Sequence, residues 1–171
     1  MGRVSTKENK NMYQMRREEL GLSREKAAEL LGSIPPERIE KIENEKSFLH
    51  PDEVIVMAEG YKMPTLCNYY CANECPIGKR YVPEIKMKDL SQIVLEMLAS
   101  LNSMNKKQEQ LIEITANGLI EDDEMKEFIH IQEELEKISI TVETLQLWSE
   151  QMLVNNVINK EAYLAYRNRE K

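Results

Sequence analysis

The sequence is poor in the groups that usually carry chemistry. It has two histidines, His50 and His130, about 80 positions apart. No Ser/His/Asp arrangement, phosphate-cradling glycine loop or paired-carboxylate motif accompanies them, which argues against an enzyme. Aromatic residues make up 6% of the chain, with one tryptophan. Apolar burial must therefore come mainly from leucine, isoleucine and methionine, a composition suited to helices packed on helices. No run reaches the roughly 18 apolar residues of a membrane-spanning helix, and no signal-type apolar core opens the chain. A cytoplasmic protein with no membrane partner is expected. Excess positive charge is also missing: 23 basic residues face 30 acidic ones, for a net charge of −7 and a pI near 5.1. The imbalance is uneven. Residues 1–62 hold 11 basic and 12 acidic side chains, and residues 63–171 hold 12 and 18. Whole-chain charge does not decide what one face of the first part does.

What is present is concentrated in Arg17-Glu-Glu-Leu-Gly-Leu-Ser-Arg-Glu-Lys-Ala-Ala-Glu-Leu-Leu-Gly32. Gly21 suits the stop of a first helix, because the residue just past a helix often needs φ > 0. Ser23 suits an N-cap, its hydroxyl accepting from a free backbone N–H. Ala27, Leu30 and Leu31 then form one apolar face, and Gly32 ends the second helix. A third helix follows over Pro35–Asn44, with Ile39 and Ile42 turned to the same core. The first helix is expected over about Lys10 to Leu20 with Met12, Met15 and Leu20 inward. A fourth opens at Pro51, near a His50 cap, with Val54, Ile55, Met57 and Ala58 inward. Residues 1–10 are polar and read as a frayed terminus; a DNA-tracking arm has little to support it.

Arg17, Leu20, Gly21, Leu22, Ser23, Glu25, Ala28, Leu31, Gly32, Ile39, Ile42, Glu43 and Asn44 together resemble the phage-repressor (Cro/C1, XRE) helix-turn-helix family over roughly the first third of the chain. The resemblance implies an ion pair between Arg17 and Glu43. It also implies a second helix that aims its N-terminus at a phosphate and a third that lies in the major groove. The implied partner is double-stranded DNA, bound as a homodimer. Ser23, Arg24 and Lys46 fall at positions for phosphate contact. Glu37, Arg38, Lys41 and Asn44 face the groove, and Arg16 adds to a cationic rim. The third helix departs from the family pattern. The turn after Gly32 is one residue longer than usual, and Pro35 and Pro36 stand where side chains would enter the groove. Glu37 and Glu40 face outward, and a carboxylate repels phosphate even where it can accept from cytosine. A helix-turn-helix turned to binding another protein is therefore the alternative reading.

All three cysteines lie in Cys67-Asn-Tyr-Tyr-Cys71-Ala-Asn-Glu-Cys75-Pro76. A disulfide framework is not expected in a cytoplasmic protein. Spacing of four and four puts Cys67, Cys71 and Cys75 on one side of a helix. Thiolates favour zinc or iron–sulfur, but the spacing fits neither standard pattern, and a fourth ligand would have to come from His50, Glu74 or a second chain. The competing reading is three cysteines packed as small apolar residues. Two prolines and a glycine make Pro76–Pro83 read as a linker.

Beyond it, Leu90, Val94, Met97, Leu101, Met104, Gln108 and Leu111 repeat in alternating steps of four and three. Phe128, Ile131, Leu135, Ile138, Val142 and Leu145 do the same. Two long helices joined at Asn117-Gly118 would form an antiparallel hairpin, and a short helix would close the chain. Ile93, Leu98, Ile112, Ile129, Ile140, Leu147 and Trp148 lie off those stripes and call for a further packing partner. The turn matches a calcium-binding loop only at its glycine, isoleucine and final glutamate, so calcium is not favoured. The expected architecture is all-α: residues 1–66 a repressor-like helix-turn-helix domain, 67–84 a cysteine segment and linker, 85–171 a helical hairpin for dimerisation or packing.

Overall fold

A computed structural model describes residues 9–169; most of the polar N-terminal segment, residues 1–8, lies outside them. The regular structure of the described residues is all helical, with no strand among them. It divides into two compact units. One comprises the residues up to Glu84 together with those from Glu150 onward; the other is Ile85–Ser149.

The first unit opens with α1 (Met12–Glu19), α2 (Arg24–Leu31), α3 (Pro36–Glu43) and α4 (Pro51–Gly60). Local chemistry sets their ends. Asn11 caps α1, accepting from Gln14 N–H at 3.0 Å, while its amide donates to the Ile42 carbonyl at 2.9 Å and fastens the start of α1 to the end of α3. Ser23 caps α2 as expected, accepting from Lys26 N–H at 3.3 Å. Gly21 takes φ +66° just past α1, where Leu22 N–H reaches back to the Arg17 carbonyl at 3.1 Å. The same closing bond recurs after α3 and α4, but there Glu45 (φ 56°) and Lys62 (φ 52°) hold the left-handed position that favours glycine.

The core gathers Tyr13, Ala27, Leu31, Ile34, Ile39, Ile42, Leu49, Val54, Met57, Tyr61 and Leu66. Several inward assignments from periodicity differ. Met15, Leu20, Leu30 and Ile55 are exposed. Tyr13, Gln14 and Arg17 form the buried side of α1 instead. An eight-residue helix has too few turns to define its face by hydrophobicity alone, and here a polar network takes that face. Ile34, in the turn after Gly32, is 2% exposed and anchors that turn in the core.

After α4 come α5 (Thr65–Asn73) and α6 (Gly78–Tyr81). Pro76–Pro83 is thus not a plain linker, since a helical turn forms between its prolines. Gly78 makes the fold-back feasible: a Cβ there would stand 2.0 Å from the Cys71 carbonyl oxygen. The amide of Asn68 donates to the Pro83 carbonyl at 3.0 Å. From the far end of the chain, the Gln151 amide donates to the Lys62 carbonyl at 3.1 Å, and α9 (Lys160–Arg169) follows.

The second unit holds α7 (Leu90–Thr115) and most of α8 (Met125–Val154). Lys107 meets Glu127 at 3.6 Å and Ser103 bonds Glu134, a descending order that makes the helices antiparallel. Met97, Met104 and Leu111, with Phe128, Ile131, Ile138 and Leu145, lie inward as the sequence reading has them, while the positions that alternate with them shift by one. The buried and half-buried stripe of α7 is Ile93, Met97, Ser100, Met104, Lys107, Leu111 and Ile114. On α8 it includes Ile131, Glu134, Ile138, Thr141 and Leu145. Leu90, Val94 and Leu101, with Leu135 and Val142, are exposed. Thr141 and Thr144 can be buried because their hydroxyls donate to carbonyls of their own helix, Lys137 at 3.1 Å and Ile140 at 2.6 Å.

Candidate nucleic-acid interface

The α2–α3 pair is held by a charged cluster beneath its outward surface. Glu43 is 1% exposed. The Arg17 guanidinium meets it with two bonds, Nε to Oε1 at 2.5 Å and an Nη to Oε2 at 3.0 Å. A third Arg17 nitrogen donates to the Leu22 carbonyl at 2.6 Å, inside the turn between α1 and α2. The pair implied by the family resemblance therefore forms. Burial alone would lower the Arg17 pKa, but the hydrogen bond and charge of Glu43 hold it above the ordinary value. One carboxylate thereby locks α1, the turn and α3 into one geometry.

Arg24 joins the same cluster. It stands in the first turn of α2, but its Nε donates to Glu43 Oε2 at 2.8 Å and an Nη lies 3.9 Å from Glu40 Oε1. Its side chain is about one-third exposed. Two carboxylates thus hold the cation that the sequence points at a phosphate.

Arg38 goes elsewhere. Its guanidinium makes a fork-to-fork pair with Glu53, both bonds 2.6 Å, and also donates to Ser47 Oγ at 2.6 Å and the Phe48 carbonyl at 2.7 Å. Four bonds commit it to bracing the α3–α4 loop against α4. The hydrogen bond from Arg38 holds the Glu53 carboxyl below its ordinary pKa, against the opposing effect of burial. Glu53 also accepts from His50 N–H at 2.9 Å, one half of a capping box. Periodicity places Arg38 next to the groove-facing positions, but only the tertiary fold shows that Glu53 lies within reach. The clue in the sequence is the glutamate three places after the His50 cap.

Arg16 is also committed, donating to the Tyr61 carbonyl at 3.0 Å and pairing with Glu19 at 3.2 Å. It belongs to the end of α4 rather than to the outward side of α3. That side presents Glu37, Glu40 and Lys41, exposed, and Asn44, half-buried, at positions a helix places on one face. Lys46 is exposed on the loop that follows, beside Phe48, which is 94% exposed. Neither Lys41 nor Lys46 has an ion-pair partner among the described residues.

Residues 14–65 match the helix-turn-helix family model. The match takes in α2, α3 and the Arg17–Glu43 pair and stops before the cysteines. The XRE-type resemblance of the N-terminal part therefore holds, and the helix-turn-helix is followed by long helices that the match leaves uncovered. No curated protein and no solved structure matches the chain.

Among the described residues, no group of three or more His, Cys, Asp or Glu side chains is placed to hold a metal ion. Cys67 and Cys71 share α5, but that helix ends at Asn73 and Cys75 lies beyond it. The Cys75 sulfur instead accepts from Gly78 N–H at 3.5 Å, inside the fold-back. Burial pushes the Cys67 thiol up, the opposite of what thiolate ligation needs. No described helix is long and apolar enough to cross a membrane.

Proposed function

We propose that this chain is a DNA-binding transcriptional regulator of the XRE type that grips duplex DNA through α2 and α3. The observation that supports it most is the Arg17–Glu43–Arg24 cluster, which fixes α3 against its scaffold while leaving Lys41 and Asn44 outward. In this reading Ser23, Arg24 and Lys46 contact phosphates, and Glu37, Lys41 and Asn44 meet base edges. Arg16 and Arg38 hold the frame.

The exposed stripe of Leu90, Val94, Leu98 and Leu101 on α7 supports a homodimer built on the C-terminal helices. Two copies would then present two recognition helices to paired half-sites.

The test is fluorescence anisotropy against a random duplex pool across a salt series, followed by selection of the preferred site. Log affinity should fall linearly with log salt. Lys46→Ala should weaken binding to all sequences alike and reduce the slope by about one, whereas Lys41→Ala should change the selected sequence. Affinity that ignores ionic strength overturns the proposal. One observation favours a second reading, in which the helix-turn-helix binds protein: the outward face of α3 carries Glu37 and Glu40, and Arg24 is already paired. A folded protein that selects no duplex would establish that alternative over the first.

A further inference from the structure

The hairpin of α7 and α8 has two unlike sides. Along α7, each residue one place after a member of the packed stripe is uncharged and exposed, among them Val94, Leu98, Leu101, Asn105, Gln108 and Ile112. The other long helix repeats the pattern. Gln132, Leu135, Ser139, Val142 and Gln146 each follow a packed residue of α8 and are likewise uncharged and exposed. One place along a helix is a rotation of about 100° in the sense of the chain. Because α7 and α8 are antiparallel, that rotation carries both sets to the same side of the hairpin. Residues one place before the packed stripes fall on the opposite side and include Glu96, Lys106, Glu113, Glu133 and Lys137. The hairpin is thus charged on one side and free of charge on the other. An exposed apolar face of this extent marks an interaction surface.

Two observations favour a second copy as its cover. The first is area. Leu90 to Ile112 spans about 33 Å at ~1.5 Å per residue, and two helices ~10 Å apart make a face about 20 Å wide. Two such faces together bury on the order of 1,300 Å², within the range of stable dimers. The second is layering. Lys107 meets Glu127 and Ser103 meets Glu134, which puts Val94 level with Val142, Leu101 with Leu135, and Asn105 with Gln132. A two-fold axis along the helices returns each layer onto its own copy. Apolar side chains then meet apolar ones, and the amides of Asn105 and Gln132 meet amides. Reversing one copy at full overlap sets Val94 and Val142 against Gln108 and buries an amide without a partner.

We propose that the uncharged side of the hairpin closes on the same side of a second copy, the two α7 helices pointing the same way, in a four-helix bundle crossed by an amide layer at Asn105 and Gln132. The bundle rests on the homodimer proposed above and gives it a geometry, with α7 of one copy lying on α8 of the other. A polar layer of this kind fixes register at some cost in stability. The bundle does not depend on DNA binding.

The test is sedimentation equilibrium of the full chain and of two variants, Asn105→Asp and Gln132→Lys. Both positions are exposed in the single chain, so each variant should keep the wild-type circular dichroism spectrum. Each alone should raise the dimer Kd about tenfold or more, since it buries a charge without a partner. An equimolar mixture of the two should recover most of that loss, because the aspartate of one copy then meets the lysine of the other. Dimers untouched by either variant would place the contact elsewhere, overturning the bundle and leaving the homodimer standing. Variants that weaken dimerisation without rescuing one another overturn the shared direction of the helices, and the proposal with it. Wild type that stays monomeric at all concentrations overturns homodimer and bundle together.

Discussion

Glu43 shows how much one side chain can carry. It is buried, meets Arg17 and Arg24, and ties three helices together. Removing one partner of a buried pair leaves an uncompensated charge, at a cost of about 3–5 kcal/mol. Glu43→Gln should therefore lower unfolding free energy by about 3 kcal/mol or more, read from urea denaturation. It should also remove DNA binding, because α3 loses its anchor. Lys62 offers the opposite case. It holds φ 52° after α4, a conformation that strains any residue with a Cβ. Lys62→Gly should raise stability by about 0.5–1 kcal/mol in the same measurement, relief of strain exceeding the added freedom of the unfolded chain.

At the scale of the element, the α3–α4 loop depends on the Arg38–Glu53 brace. The Glu53 pKa is lowered from 4.5 by the Arg38 hydrogen bond. A carboxylate with a depressed folded pKa contributes stability that is fully present above its unfolded value. That contribution is lost as pH falls through the lower folded value. Wild type should therefore lose stability below about pH 4.5 by an amount that Glu53→Gln does not show. The variant should be the less stable protein at neutral pH, and the gap should close in acid. Urea midpoints measured across that range check this; parallel curves would mean the brace contributes nothing. The long helices show a different element-scale choice. Both α7 and α8 carry apolar residues on two adjacent faces, and packing chose the face with Ser100 on one and Thr141 and Thr144 on the other. A hydropathy count cannot foresee this, because a threonine whose hydroxyl bonds its own backbone is cheap to bury.

For the whole molecule, that choice leaves leucines outward. Leu98 is 52% exposed within the stripe formed by Leu90, Val94 and Leu101. A stripe of this kind on a long helix is the surface a second copy would cover. Leu98→Glu should shift the sedimenting species from dimer to monomer and weaken binding to a paired half-site far more than to a single one. Wild type that sediments as a monomer at all concentrations would remove dimerisation from the proposed function.

How much of this was legible beforehand follows from the range of each interaction. Gly21, Ser23, the prolines that open α3 and α4, and the spacing of Ile39 and Ile42 act within a turn or two of chain, so the sequence by itself determined the helices and their α1–α4 order. The Arg17–Glu43 pair was legible through the family pattern that places those residues. Arg38 with Glu53 and Arg24 with Glu43 join positions far apart along the chain. Each arginine had several carboxylates within plausible reach, and only packing selected one. Tertiary structure alone decided which cations remain outward, because desolvating a charge is tolerable only where a partner is already in place.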